Sequence, residues 1–292
     1  MTGCRPARLV SSRVVPLLGV VALTACTPGT DSAVGLAAPA GLATPVATAA
    51  PAAPKAGASA AATHKATMRK KAPVVVGFGD SVPAGGGHCS CTNFVTAYGN
   101  LIATHTGIKP TVDNFAVSGS TSADLVDQMT DSAVRAAVAG ASTVLIMTGA
   151  NDYDDAFDEV SIGVDPTEAY PQVATAVEDN VVTVIGKIRA LNRTANVVVL
   201  DYWASMEDGA VAENDYDAPT MAASISCTAS TNTALTLAAK ATGSTYVSTY
   251  TAFKGSNGSK DDTALLMPDG DHPNPTGHQV IAAAIAAVYP SG

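Results

Sequence analysis

Pro73-Val74-Val75-Val76-Gly77-Phe78-Gly79-Asp80-Ser81 is the stretch of sequence that decides the fold. It is an apolar, β-branched run that ends abruptly in small residues and one hydroxyl. Such a run is typical of a parallel strand that helices cover on both faces, because it has no polar side to present to water. Gly79 allows a tight turn, which leaves Ser81 at the carboxyl edge of the predicted sheet. Open α/β sheets bind their ligands at that edge, so Ser81 is a candidate nucleophile.

The composition of the chain changes at about residue 72. The first part is rich in Ala, Pro and Thr and shows no helical or strand period, whereas residues 73–292 alternate apolar runs with amphipathic segments. These residues are enough for one large domain with a substantial core. They carry eight of the 16 Lys and Arg side chains and 24 of the 25 Asp and Glu side chains, a net charge of −16. Because such a surface repels polyanions, we expect no nucleic-acid partner.

Residues 1–25 resemble a bacterial export signal of the lipoprotein type. Three arginines precede the apolar segment 14–23, which is too short to span a membrane comfortably. Leu23-Thr24-Ala25-Cys26 resembles a lipobox, in which the signal is cut before a cysteine that then carries lipid. We therefore expect a lipid anchor on Cys26 at the outer face of the cell membrane, with secretion after an ordinary signal cleavage as the alternative. Residues 26–72 are expected to be a disordered tether.

Three cysteines remain in the exported chain once Cys26 is assigned to the anchor. In an oxidising compartment, Cys89, Cys91 and Cys227 allow one disulfide and leave one thiol. We expect Cys227 to pair with Cys89 or Cys91 and to pin the loop after Ser81, because a bridge between Cys89 and Cys91 closes a very small ring. The sequence contains no CxxC and no Cys/His spacing typical of zinc, so we predict no metal site.

Strand and helix patterns alternate about five times in residues 73–292. This alternation predicts a three-layer α/β/α sandwich with a mostly parallel five-stranded sheet. Two polar segments are expected to be loops, 154–159 as a solvated acidic rim and 203–219 as a lid or substrate wall. The strands predicted after the first are 111–117, 142–148, 196–202 and 244–248. The predicted helices run from Asn93 to His105, from Ser122 through Val138, from 171 to 191, from 220 to 242 and onward from Pro275.

Chemically useful groups follow the predicted strands and precede the last helix. Ser81, Gly119 and Asn151 each come just after a strand, and Asp269 to His272 come before the helix that starts at Pro275. In a parallel sheet the carboxyl ends of the strands meet at one edge. The sequence therefore predicts that these groups converge, although 191 positions separate Ser81 from His272.

Four blocks resemble, in order, those of the SGNH (GDSL) hydrolase superfamily. They are Gly79-Asp80-Ser81, Asn114 with Ser118-Gly119, Gly149-Ala150-Asn151-Asp152, and Asp269-Gly270-Asp271-His272. The resemblance implies that Ser81 is the nucleophile, that His272 is the general base and that Asp269 orients the imidazole.

The same resemblance implies an oxyanion hole made of the backbone N–H groups of Ser81 and Gly119 and the side-chain amide of Asn151. Asp271 is the alternative to Asp269 as the orienting acid. Asp80 is expected to hold the turn, and the remaining histidines are expected to lie outside the site on the surface or in helices. These are His88, His105 and His278.

The resemblance implies a serine ester hydrolase that works through an acyl-enzyme without a metal or cofactor. The substrate would be a small-molecule, lipid or glycan ester, and we expect the protein to be a monomer. A carboxylesterase is favoured over a carbohydrate O-deacetylase, because an aromatic content of 5% and the single Trp203 offer little surface for stacking on sugars. A non-catalytic surface-binding module is the alternative from another class, and the intact set of Ser81, Asp269 and His272 argues against it.

Overall fold

The computed structural model describes residues 71–85 and 89–288. The predicted export signal, Cys26 and the tether up to residue 70 lie outside the described residues, as do residues 86–88 with His88. Those features, and the domain boundaries drawn from them, stay predictions.

Five parallel strands form a single sheet in the order β2-β1-β3-β4-β5. Their apolar runs explain the arrangement, since β3 and β4 are buried almost along their whole length and have no polar face for water. The predicted α/β sandwich with a parallel five-stranded sheet is thereby confirmed. The strands are β1 (Val74–Gly79), β2 (Thr111–Asn114), β3 (Thr143–Met147), β4 (Asn196–Leu200) and β5 (Thr245–Val247).

Ten helices connect these strands within the described residues and cover the sheet. In one group α2 packs against α10, and in the other α6 packs against α8 and α3. The first five helices are α1 (Ser81–Ala84), α2 (Phe94–Thr106), α3 (Ser122–Gln128), α4 (Ser132–Gly140) and α5 (Asp154–Ser161). The other five are α6 (Pro166–Leu191), α7 (Gly209–Asp215), α8 (Ala218–Thr242), α9 (Thr249–Lys254) and α10 (Pro275–Val288). None of these helices combines the length and the apolar character that a bilayer span requires.

Side-chain caps explain where several helices depart from the sequence prediction. The single helix predicted from Ser122 through Val138 is two helices, because the Asp131 carboxylate accepts the first free N–H groups of α4. Helix α6 begins at Pro166 rather than at Pro171, because Asp165 caps it and Pro166 occupies its first turn. Asp208 caps α7 in the same way. Helix α5 covers the whole of the predicted loop 154–159, and α7 lies within the predicted loop 203–219. Both loop predictions were wrong over those residues.

The disulfide joins Cys89 to Cys91, whose Cα atoms lie 5.1 Å apart. Cys227 is free and fully buried within α8. The predicted pairing of Cys227 with Cys89 or Cys91 was therefore wrong. The cause is the packing of α8: Cys227 faces the core in the layer that α8 forms with α6, whereas Cys89 and Cys91 precede α2, which packs with α10. Burial raises the pKa of the Cys227 thiol to about 12.

Gly79 is the position where the fold tolerates no side chain. Its φ of +131° lies in a region that L-residues rarely adopt, and a Cβ added there would lie 1.6 Å from the carbonyl oxygen of Met147 on the neighbouring strand. We expect Gly79→Ala to lower the free energy of unfolding by at least about 3 kcal/mol, because both the backbone and the β1–β3 pair must shift. Chemical denaturation of the purified domain measures this loss.

Gly186→Ala is the matched control for that substitution. Gly186 lies inside α6, and a Cβ there would meet no atom within 4 Å. Alanine should stabilise the helix at this position by up to about 1 kcal/mol. An equal, small effect of both substitutions on the denaturation midpoint would contradict the close approach of β1 and β3 at Gly79.

Candidate active site

The Ser81 turn begins where β1 stops. The Asp80 carboxylate caps the short helix α1 by accepting the Val82 N–H at 3.0 Å, so the capping bond encloses Ser81, the first residue of that helix. Ser81 itself is half-buried. The expectation that Asp80 holds the turn agrees with this contact. Asp80 also accepts the hydroxyl of Tyr202, a residue just after β4.

The Gly119 turn follows β2 and is hydrogen-bonded to the end of β1. The Val117 N–H donates to the Gly79 carbonyl at 2.9 Å, and the Ser120 hydroxyl donates to the same carbonyl at 3.0 Å. A bond from the Ser120 N–H to the Val117 carbonyl closes the turn at 3.1 Å. Gly119 has a φ of +80°, which favours glycine there. The turn is therefore fixed directly to the strand that leads to Ser81.

Asn151 begins the short 3₁₀ segment that follows β3. Its side-chain amide donates to the Ser120 carbonyl at 2.8 Å, which orients the amide and leaves a second N–H on the same nitrogen. The next residue, Asp152, accepts both the N–H and the hydroxyl of Ser122, at 2.8 and 2.6 Å. The turns after β2 and β3 are thus hydrogen-bonded to each other.

Asp269 and His272 form a close acid–imidazole pair on the loop before α10. Asp269 Oδ2 lies 3.0 Å from His272 Nδ1, and Asp269 Oδ1 accepts the backbone N–H groups of Asp271 and His272. Partial burial tends to raise the pKa of Asp269, but the two N–H bonds and the His272 side chain outweigh it and lower that pKa. The carboxylate is therefore ionised, and its position fits an imidazole that donates from Nδ1 and presents Nε2 as the acceptor.

Asp271 lies closer to the imidazole than the sequence suggests. Its Oδ2 is 3.5 Å from His272 Nδ1, beyond the 3.0 Å contact made by Asp269. Burial raises the pKa of the Asp271 carboxyl, the opposite of the shift at Asp269. Distance and charge both favour Asp269 as the partner of His272.

The charged groups of the His272 loop act on Asp80, at the turn that carries Ser81. Burial raises the pKa of Asp80 to about 7 against the hydrogen bonds from Tyr202 and Val82, and the charges of Asp271 and His272 act on the same carboxyl. Within the described residues no hydrogen bond joins Ser81 Oγ to His272. In enzymes without substrate such contacts are often long and tighten when substrate binds.

Two of the predicted peripheral residues behave differently from each other. His105 lies in the last turn of α2, as expected of a helix residue. His278 also belongs to a helix, α10, but it is fully buried and its Nδ1 accepts the Phe94 N–H at 3.2 Å. Burial lowers the pKa of His278 to about 4, so its imidazole is neutral. Among residues 71–85 and 89–288, no cluster of three or more His, Cys, Asp and Glu side chains has the arrangement of a metal site.

Comparison with protein families identifies the class. Residues 78–280 match the GDSL-like lipase/acylhydrolase family, which covers most of the chain. The chain belongs to this family and is a hydrolase of the kind that acts on ester bonds. A comparison with curated proteins found no match.

Solved structures of low sequence identity share the fold. The lipase Lip_vut3 from a goat rumen metagenome is 18% identical with a TM-score of 0.60, over 74% of this chain and 96% of that one. An extracellular lipase from Streptomyces rimosus is 19% identical with a TM-score of 0.57, over 75% and 100%. A variant of an acetyl-xylooligosaccharide esterase from Geobacillus is 19% identical with a TM-score of 0.53, over 74% and 93%.

Sequence reasoning missed Tyr202 and its surroundings. Its hydroxyl reaches Asp80, and its backbone is held by Asn232 of α8, which accepts the Tyr202 N–H at 2.9 Å and donates to its carbonyl at 2.7 Å. In the sequence Tyr202 is only the last residue of a predicted strand. Its position after a strand end, shared with Ser81, Gly119 and Asn151, is the signal that could have indicated it.

Proposed function

We propose that the protein is a serine carboxylesterase with Ser81 as nucleophile, His272 as general base and Asp269 as the orienting acid. The observation that carries this proposal is the 3.0 Å contact between Asp269 and His272 Nδ1, on a loop whose charges act on Asp80, the residue before Ser81. A non-catalytic binding module would not require an ionised carboxylate that fixes the imidazole tautomer.

The chemistry follows from this tautomer. Ser81 Oγ attacks the ester carbonyl carbon while its proton passes to His272 Nε2, which gives a tetrahedral oxyanion. When the C–O bond to the alcohol breaks, His272 returns the proton to the leaving oxygen, and an acyl-enzyme remains on Ser81. Water then attacks the acyl carbon with His272 again as the base, releasing the acid and restoring Ser81.

The proposed oxyanion donors are the N–H groups of Ser81 and Gly119 and the amide of Asn151. The bond from Asn151 to Ser120 fixes the amide before substrate arrives, as electrostatic preorganisation requires. Removing one such donor commonly costs about 3 kcal/mol of transition-state stabilisation. The donors cost no reorganisation during the reaction, because the turns that carry them are bonded to each other.

A cavity beside Gly119 supports short acyl or polar alcohol groups as substrates. Its volume is about 440 Å³. Asp124, Asp127 and Gln128 are among the residues that line it, and their polar character would disfavour a long alkyl chain. We therefore propose esters of short acids as the substrate class. The cavity is lined by Val117, Ser118, Gly119, Ser120, Asp124, Leu125, Asp127 and Gln128.

An acyl-length series combined with active-site labelling tests the proposal. We expect a fluorophosphonate probe to add one adduct, located on Ser81 by peptide mass spectrometry. Turnover of p-nitrophenyl esters should be highest for acetyl to butyryl groups and fall by at least about tenfold for dodecanoyl, because Val117 and Leu125 are the only large apolar side chains in the cavity lining and can cover little of a long chain.

Three outcomes would count against parts of the proposal. A lack of adduct on Ser81 would favour the binding module. Fastest turnover of long acyl chains would overturn the short-acyl preference. A preference for acetylated xylan over the soluble acetyl ester would replace the carboxylesterase with a carbohydrate deacetylase.

A further inference from the structure

The backbone pairing between β1 and β3 ends before it reaches the proposed site. The β1–β3 ladder ends at the pair Gly79 and Met147. Beyond it, one hydrogen bond of 3.3 Å from the Asp80 N–H to the Met147 carbonyl continues the contact between the two strands. Ser81 and Asn151 both lie past this point, so the ladder alone does not fix the distance between them.

The Tyr202 hydroxyl, which follows β4, provides a contact beyond the end of this pairing. It donates to Asp80 Oδ2, on the residue before Ser81. One buried oxygen atom therefore holds the Ser81 turn from the end of β4. The other oxygen of Asp80 accepts the Val82 N–H, so the carboxylate links Tyr202 to the turn that carries Ser81.

Tyr202 is itself held in place. Its side chain is only 1% exposed, and Asn232 of α8 pairs with both polar groups of its backbone at 2.9 and 2.7 Å. Burial and the negative charge of Asp80 raise the phenol pKa well above its usual value. The phenol thus keeps its proton and remains a donor to Asp80.

We propose that Tyr202 is a positioning residue whose hydroxyl, through Asp80, ties the turn of Ser81 to the end of β4 and so sets the position of the nucleophile relative to the oxyanion donors. This inference rests on the function proposed above for Ser81 and Asn151. Tyr202 touches neither the substrate nor the reacting atoms in this role. It acts through Asp80, whose other oxygen caps the turn that carries Ser81.

Tyr202→Phe tests the inference by removing one oxygen atom. We expect kcat, normalised to the sites titrated by a fluorophosphonate, to fall by about 10- to 100-fold. A misplacement of about 1 Å at a reacting centre has an effect of that order. KM should change by less than about threefold, because the substrate contacts remain. The rate of fluorophosphonate labelling at Ser81 should fall in proportion to kcat.

The pH dependence supplies a readout that a purely structural role would not move. The Tyr202 hydrogen bond lowers the pKa of Asp80, and Asp271 and His272 are the charged groups that also act on this carboxyl. Asp152 acts on Tyr202 from the side of β3. In Tyr202→Phe the pKa of Asp80 rises, so the negative charge that Asp80 exerts on His272 is lost at a higher pH. Loss of that charge disfavours the imidazolium, so the acid limb set by the proposed base His272 should move to lower pH.

Tyr246→Phe is the matched control. The Tyr246 hydroxyl also donates to a largely buried carboxylate, Asp201 Oδ2 at 2.5 Å, but at the edge strand β5. This variant should lose stability in a comparable way yet keep kcat within about twofold of the wild type and leave the acid limb in place. If Tyr202→Phe does not fold, Asp80→Asn, which keeps an acceptor for the Val82 N–H, tests the same bond and should lower kcat by a similar factor.

The outcomes distinguish a failure of this inference from a failure of the proposed function. If Ser81→Ala retains turnover, the proposed function fails. If Ser81→Ala is inactive while Tyr202→Phe keeps wild-type kcat per titrated site, or falls no further than Tyr246→Phe, the function stands and the positioning role of Tyr202 is overturned.

Discussion

Replacing Ser81 by alanine is expected to reduce turnover of an activated ester by about 10⁴- to 10⁶-fold, because the proposed acyl-enzyme forms on the hydroxyl that this substitution removes. The residual rate would come from the oxyanion donors and from binding. Stability should change little, since Ser81 is the first residue of α1 and its hydroxyl makes no hydrogen bond within the described residues. Turnover of p-nitrophenyl acetate by purified protein, with denaturation as the check on folding, measures both effects.

Ser90→Ala, in the segment before α2, is the control for that substitution. Ser90 is exposed and lies between the two bridged cysteines, so its replacement changes a nearby serine without touching the proposed nucleophile. Wild-type turnover by Ser81→Ala, with the protein folded, would remove Ser81 from the mechanism and with it the whole proposed triad.

Asp269→Asn is expected to lower kcat by about 10⁴-fold. An amide at this position can still accept the backbone N–H groups of Asp271 and His272, so the loop should keep its shape. Its NH₂ group would face His272 Nδ1 and favour the tautomer with the proton on Nε2, which cannot take the proton from Ser81. Because the pKa of Asp269 is lowered, the carboxylate stays ionised across the working range, and the acid limb of the wild-type profile should not report its titration.

Asp271→Asn distinguishes the two candidate acids. Its Oδ2 lies 3.5 Å from His272 Nδ1, compared with 3.0 Å for Asp269, so we expect its loss to cost less than about tenfold in kcat. A stopped assay with both purified variants at one pH gives the comparison. A larger loss in Asp271→Asn than in Asp269→Asn would exchange the roles of the two carboxylates.

The sheet could be predicted from the sequence because its strands are continuous apolar runs, a pattern that survives without knowledge of the neighbours. The ends of helices could not be placed as well, because single capping residues such as Asp131 and Asp165 decide them against an otherwise continuous amphipathic pattern. The family membership was predictable because four short blocks each fall at a strand end or just before a helix.

The parts of the site that depend on packing escaped the sequence. The partnership of Tyr202 with Asp80 joins residues 122 positions apart, and no spacing rule indicates it. The cysteine pairing failed for the same reason: Cys227 is a plausible partner by number, but its side chain faces the interior of another layer. Contacts within a loop, such as Asp269 with His272, were predictable because three residues of backbone bring them together.

The order of the proposed groups along the chain has a consequence for synthesis. The nucleophile and the oxyanion donors leave the ribosome first, and the acid and base follow together on one short loop more than a hundred residues after Asn151. If the proposed roles hold, a nascent chain that ends before Asp269 carries a serine with no base to activate it. We then expect hydrolysis to begin only when translation has passed His272, so incomplete chains would be inert toward the esters of the cell that makes them.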